Sequence, residues 1–280
     1  MVFALSASFM VVQVVVGWWT NSLALLADAA HLFVDAAGVG LSLLAVWFAE
    51  RPATAEKTYG YYRVEILAAL VNGVVLCMLA IAILVEAWGR LQVRHEVSAG
   101  PVLVVAVAGL GVNLLAAWLL HAGAGESLNV RGAYLEVLGD ALSSAAVIVA
   151  AALILVTGWT AADALASAAI GFLILPRTFA LLKQAVNVLL EGVPAHLDLA
   201  EIETALRGVP GVKRVHDLHV WTLTSGREAM SVHVEVEPGT PPDRILDEVH
   251  VVLHARFGID HTTVQVETLA PSLLQITPRS

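Results

Sequence analysis

The sequence predicts an α-helical membrane protein, six spans followed by a soluble α+β domain, and three observations carry that class. Of 280 residues, 58% are hydrophobic and only 14% are charged, against roughly 25% charged in an ordinary soluble domain. Mean hydropathy is +0.80. The charge is also unevenly placed: residues 1–190 hold 8 Lys and Arg against 11 Asp and Glu, and residues 191–280 hold 7 against 13, with 7 of the 10 histidines. This composition excludes a disordered chain, a nucleic-acid binder and an ordinary soluble enzyme. The single cysteine, Cys77, lies in an apolar run, so neither a disulfide framework nor a thiolate metal cluster is expected. The expected division is a membrane block over 1–190, an acidic, His-bearing soluble domain over 191–270, and a tail over 271–280.

A hydrocarbon core about 30 Å thick needs about 20 mostly apolar residues per helix. Six such stretches can be drawn, at 2–19, 23–48, 64–89, 100–122, 133–157 and 162–182. The first lacks the basic flank of a secretory signal, since no Lys or Arg precedes Arg51. An even number of spans puts both termini on one side. With that side cytoplasmic, the inner segments hold Arg51, Lys57, Arg63, Arg131, Arg177 and Lys183, and the outer ones Arg90 and Arg94, which satisfies the positive-inside rule. Trp18, Trp19, Trp47, Trp88, Trp118 and Trp159 fall near expected helix ends, where an indole straddles lipid and water.

Polar residues inside these stretches cluster. The second carries Asp28, His31 and Asp35 in ADAAHLFVD, and the fifth carries Glu136 and Asp140 in YLEVLGDALSS. Spacings of three, four and seven residues put each set on one helix face. An ionised group at mid-membrane costs about 2.5–3.5 kcal/mol on insertion scales, so four of them unpaired would cost roughly 10 kcal/mol. Neither stretch contains a Lys or Arg. A divalent cation offsets the cost: His31 and Asp35 from one helix, with Glu136 and Asp140 from another, supply one imidazole and three carboxylates, a donor set suited to tetrahedral Zn2+. The competing reading has these groups share protons and hydrogen-bond to backbone. Asp28 is expected to line an access path or bond a neighbouring helix. Asn72 and Asn113 are isolated amides explained by interhelical hydrogen bonding.

At these residues the sequence resembles the cation diffusion facilitator family, the proton-coupled zinc exporters. NSLALLADAAHLFVD is similar to the family's second helix, TYGYYRVEILAALVNG to its second-to-third helix junction, ESLNVRGAYLEVLGDALSS to the start of its fifth helix, and HDLHVWTLTSGREAMSVHVEVE to its cytosolic domain. The resemblance implies six transmembrane helices, cytoplasmic termini in the cell (inner) membrane, a homodimer and a ferredoxin-like cytosolic domain. It also implies an HxxxD pair on helices 2 and 5, which falls on His31 and Asp35, then on Glu136 and Asp140. Position 136 departs from it, being Glu where the zinc branch has His. Three carboxylates leave a metal-loaded site near −1, and harder donors weaken the preference for Zn2+ over Mn2+ or Fe2+; the imidazole still favours Zn2+, Co2+, Ni2+ or Cd2+. The segment HAGAGESLNVRG holds only His121, where many zinc exporters of the family have a His-rich loop.

Beyond residue 193 the pattern changes. A short helix is expected at Ala200–Leu206, with Asp198 as its N-cap. Strands are expected at Val212–Thr224 and Glu228–Glu237 around a Ser225–Gly226 turn, and at Thr262–Glu267, with a helix over Pro242–Phe257. That order, αββαβ, matches the family's cytosolic domain. Its polar residues are His216, Asp217, His219, His233, His250, His254, His261 and Glu267. The resemblance places His216, His233 and Glu267 at or near cytosolic zinc positions, with Gln265 where some relatives have a ligand His. Solvated surface histidines are the alternative. Trp221 is expected to pack in the domain core or at a dimer face.

The activity expected is secondary active efflux of a divalent cation, Zn2+ first, by proton antiport through alternating access. Metal binding needs deprotonated ligands and so releases protons, and an imidazole such as His31 ordinarily titrates near pH 6.5. No GxxxxGK[ST] loop occurs, nor even a Gly-Lys pair, so ATP is not an expected partner. A metalloenzyme would need a set such as HExxH, which is absent. Transport of Cd2+, Co2+, Ni2+, Mn2+ or Fe2+, a passive channel and a metal sensor stay open as alternatives.

Overall fold

The computed structural model describes residues 2–93, 95–122 and 128–268. Arg94, the 123–127 part of the loop after the fourth helix and the 271–280 tail lie outside the described residues. The first unit contains the long helices: α1 (Val2–Thr20), α2 (Leu23–Ala49), α3 (Arg63–Gln92), α4 (Ala99–His121), α5 (Leu128–Thr157) and α6 (Ala161–Leu189). Helices α2 to α6 are long and apolar enough to cross a membrane, and Ser8–Thr20 of α1 forms a shorter apolar helix. Two ends run past the apolar stretches that hydropathy marks: α5 begins at Leu128 rather than 133, and α6 continues to Leu189 rather than 182. Hydropathy follows lipid contact, whereas helix propensity carries LLKQAVNVL onward as a helix.

The interior of this unit is built from small side chains. Ala24, Ala27, Ala80, Ala106, Ala150 and Ala166 are buried together with Leu25, Val102, Val147 and Ile170. Lipid tails are as apolar as leucine, so helices associate by close packing and polar bonds rather than by leaving water. Gly38 shows the closeness required, since a Cβ there would meet the Asn72 amide of α3 at 2.5 Å. Many of the larger apolar side chains, and all six tryptophans expected at helix ends, face outward. Asn21 turns the chain between α1 and α2 in the left-handed region, at φ 56°, which asparagine tolerates.

The second unit comprises Ala49–Ile66 and the chain from Gln184 onward. It contains α7 (Leu199–Arg207), β1 (Val212–Thr224), β2 (Arg227–Val236), α8 (Pro242–Phe257) and β3 (His261–Thr268). Asp198 caps α7, its carboxylate accepting from the Ala200 backbone N–H at 2.8 Å. Gly258, at φ 68°, ends α8 in the left-handed conformation. The sheet runs β1-β2-β3, antiparallel between the first two strands and parallel between the last two. Ile202, Leu206, Ile245, Val249 and Leu253 of the helices share a core with Val232 and Val234 of the central strand. Strand alternation therefore sends His233 and Glu235 to the opposite face.

Candidate metal centres

Two groups of metal-ligating side chains converge among the described residues, one in each unit. The first joins α2 to α5. His31 Nε2 lies 3.3 Å from Asp35 Oδ2 and 3.8 Å from Asp140 Oδ1. Their side chains are only 13%, 17% and 9% exposed. One ligand atom from each residue falls within 4.8 Å of the others. Two ligands about 2.0–2.1 Å from a tetrahedral zinc stand about 3.3 Å apart, so these three donors lie close to the separation such an ion would need. Asp35 Oδ2 and His31 Nδ1 are buried and have no hydrogen-bond partner among the described residues. Buried acceptors are nearly always satisfied in folded proteins, and a bound cation is one group that would satisfy Asp35 Oδ2.

Glu136, four residues before Asp140, is not among the three that converge. Its Oε2 lies 3.2 Å from Nη2 of Arg177 on α6. Neither the second nor the fifth apolar stretch contains a Lys or Arg, and the countercharge comes instead from a third helix, through Arg177. Pro176, which cannot donate a backbone hydrogen bond, lies inside α6 immediately before this residue. Asp28, 1% exposed, faces α1: Gln13 Nε2 donates to its Oδ2 at 2.6 Å.

The helices that carry these residues are pinned by further polar side chains: Asp163, whose role the sequence did not disclose, and Asn113, which makes the interhelical hydrogen bond expected of it. Asp163 of α6 accepts from Ser22 Oγ at 2.5 Å and from the Leu23 backbone N–H at 2.7 Å, capping α2 from another helix. A carboxylate there also complements the positive end of the α2 dipole. On α5, Ser144 Oγ accepts from the Asn113 amide of α4 at 3.2 Å in a buried contact. Both bonds tie α2 and α5 to neighbouring helices.

The second group sits on the open face of the soluble sheet. His216 of β1 and His233 of β2 are direct cross-strand partners, their rings 5.1 Å apart. Gln265 stands opposite His233 on β3, and Glu267 two residues on shares the same face. Glu267 reaches both rings: Oε1 is 2.9 Å from His233 Nδ1 and Oε2 is 3.2 Å from His216 Nε2. Glu235 lies 3.5 Å from His216. Burial pushes the Glu267 carboxyl up, but hydrogen bonds from His216 and Gln265 and the charges of His233 and His216 outweigh it, so the group lies below the ordinary carboxylate range. A register shift between His216 and His219 marks a bulge with Asp217 at φ 51°. The extra residue re-aims the side chain, leaving Asp217 Oδ2 3.7 Å from His233 Nε2.

The remaining histidines lie apart from this group. His254 pairs with Asp260 on the surface, His250 is exposed, His219 bonds Asp217, and His261 packs edge-on against Tyr59 at 5.6 Å. Trp221 is half-buried opposite Ala229.

Comparison with known proteins bears on both units. Residues 1–190 match the cation efflux transmembrane domain, and residues 194–269 match the cytoplasmic domain of cation efflux proteins. The metal cation efflux system protein CzcD of Cupriavidus metallidurans is 46% identical over 269 residues, 96% of this chain and 85% of that protein. The zinc transporter ZitB of Escherichia coli is 44% identical, over 95% of this chain and 85% of its own length. A cadmium, cobalt and zinc/H(+)-K(+) antiporter of Bacillus subtilis is 38% identical, over 96% and 88%. Among solved structures, the metal-bound C-terminal domain of the Cupriavidus CzcD transporter is 43% identical, covering 25% of this chain and 99% of that one, with a TM-score of 0.25.

Proposed function

The chain belongs to the cation efflux family, and on that premise we propose that it exports Zn2+ from the cytoplasm in exchange for protons. It is a multi-pass membrane protein and a divalent metal cation transporter rather than an enzyme. His31, Asp35, Glu136 and Asp140 hold the ion in transit, and the observation that carries this reading is the convergence of three of them, from two helices, within 4.8 Å. The relatives named as zinc transporters favour Zn2+, as does the imidazole in the donor set.

Coupling to protons follows from the same donors. Carboxylates and imidazole bind metal only when deprotonated. Cytoplasmic Zn2+ enters the cluster, the helices rock so that it opens outward, and protons take the ligands as the metal leaves. His216, His233 and Glu267 form a second, regulatory metal site in the soluble domain at 191–270. The protein works as a homodimer in the inner membrane with both termini in the cytoplasm.

The test is flux in liposomes containing the purified protein and a pH-sensitive dye, with Zn2+ added outside. Lumenal pH should change in step with zinc entry, and Asp140→Ala should abolish both signals. Zinc entry with no pH change would replace the antiporter by a channel. Competition with Cd2+, Co2+, Ni2+, Mn2+ and Fe2+ ranks the metals, and preference for Mn2+ would assign the three carboxylates the deciding role.

A further inference from the structure

We propose that Arg177 sets the charge of the transport site, compensating through Glu136 for the extra carboxylate in its donor set. The proposal rests on the reading of His31, Asp35 and Asp140 as ligands. With both aspartates ionised and His31 neutral, those three residues balance one divalent cation. Glu136 as a fourth ligand would leave the loaded site one negative charge in excess. Arg177 removes that excess, because its guanidinium stands 3.2 Å from Glu136 Oε2.

Two features make the compensation workable. The bond to Arg177 uses Oε2, and although Glu136 stands outside the group that converges, a side-chain shift that brought Oε1 to the metal would not by itself take Oε2 away from the arginine. An arginine does not deprotonate in proteins, so its charge stays fixed while the ligands exchange protons and metal. A histidine at 136 would bring no charge and would need no arginine. Glu136 with Arg177 is thus electrostatically equivalent to a neutral ligand alone. The Asp28 side chain, bonded to Gln13, is common to every variant and leaves the comparison unaffected.

Opposite errors of charge should cancel. In reconstituted full-length protein assayed for Zn2+ flux, Arg177→Gln leaves the loaded site negative and Glu136→His leaves it positive. Each should lower flux about tenfold, the ratio that 1.4 kcal/mol gives. The double variant Arg177→Gln/Glu136→His should exceed either single variant, and Arg177→Lys should fall between Arg177→Gln and the wild type. Wild-type flux in Arg177→Gln, or a double variant no better than the worse single, overturns the proposal. Where Arg177→Gln alone is not recovered as a monodisperse protein, Glu136→His against the double variant decides it, and loss of the double counts against it. Asp140→Ala separates the two levels: undiminished flux there removes the transport site itself, whereas lost flux there with Arg177→Gln undiminished removes only the role of Arg177.

Discussion

The helical cluster and the sheet cluster gather the same kinds of donor by different geometry. On α2 and α5 the ligands come from turns of one helix, four residues apart, and the partner helix closes the set. On the sheet they come from three strands, with His216 and His233 paired by register and Glu267 placed diagonally. His31, Asp35 and Asp140 are largely buried, whereas Glu136, the donor that Arg177 meets from another helix, is about one-third exposed. The sheet donors are about one-third exposed, so water shares their charge, and Arg214 pairs with the Glu235 carboxylate that lies beside His216. Three of the helical donors are thus largely buried where all three sheet donors meet solvent.

The strongest way to break this contrast is to remove one donor from each cluster. Asp35→Ala should lower zinc flux on the order of 100-fold or more, at or beyond the upper limit of what outer-shell partners of a metal cost. His233→Ala should lower zinc affinity at the sheet by about 10–100-fold, read by calorimetric titration, with a smaller loss of flux than Asp35→Ala. Equal flux losses would mean that the sheet is part of the transport path. The capping aspartates sharpen the comparison at the level of stability. Asp163→Ala, which strands the buried Ser22 hydroxyl and a backbone N–H, should cost about 2 kcal/mol; Asp198→Ala, at an exposed cap, should cost about 1 kcal/mol. Thermal unfolding in detergent measures both.

The smallest effect concerns pH. Because the Glu267 carboxyl is lowered in the folded protein, its contribution to stability is complete above the unfolded-state value and is lost as pH falls through the folded one. Glu267→Gln should therefore flatten the acid limb of the soluble domain's melting curve and leave the neutral region less changed. An acid limb as steep as in the wild type would assign it to other groups.

The long helices were legible because hydropathy and length signal them directly, and the soluble elements because their periods switch cleanly from 3.6 to 2. Pro242–Phe257 was bounded by proline at one end and glycine at the other, and its limits could be read residue by residue. The i, i+4 spacing disclosed His31 with Asp35, since one helix places both. Arg177 stayed hidden because a charge on a third helix has no sequence relation to the carboxylate it meets. Asp163 was hidden for the same reason: it caps a helix some 140 residues away in the chain. The bulge at Asp217 was invisible too, because strand alternation alone would send that side chain to the other face.

The segment Ala49–Ile66 belongs with the soluble unit although it precedes it by more than a hundred residues. Glu65 accepts hydrogen bonds from Thr224 and Ser225, Arg227 reaches the Tyr62 hydroxyl, and Arg63 pairs with Glu191. A fragment expressed from residue 191 onward would lack these partners, and its β1–β2 turn would meet solvent with a hydroxyl pair and a guanidinium that the intact protein ties down. Dissection at that boundary therefore yields a piece whose hairpin tip is looser than in the whole chain, and binding constants measured on such a piece describe an unbraced version of the sheet.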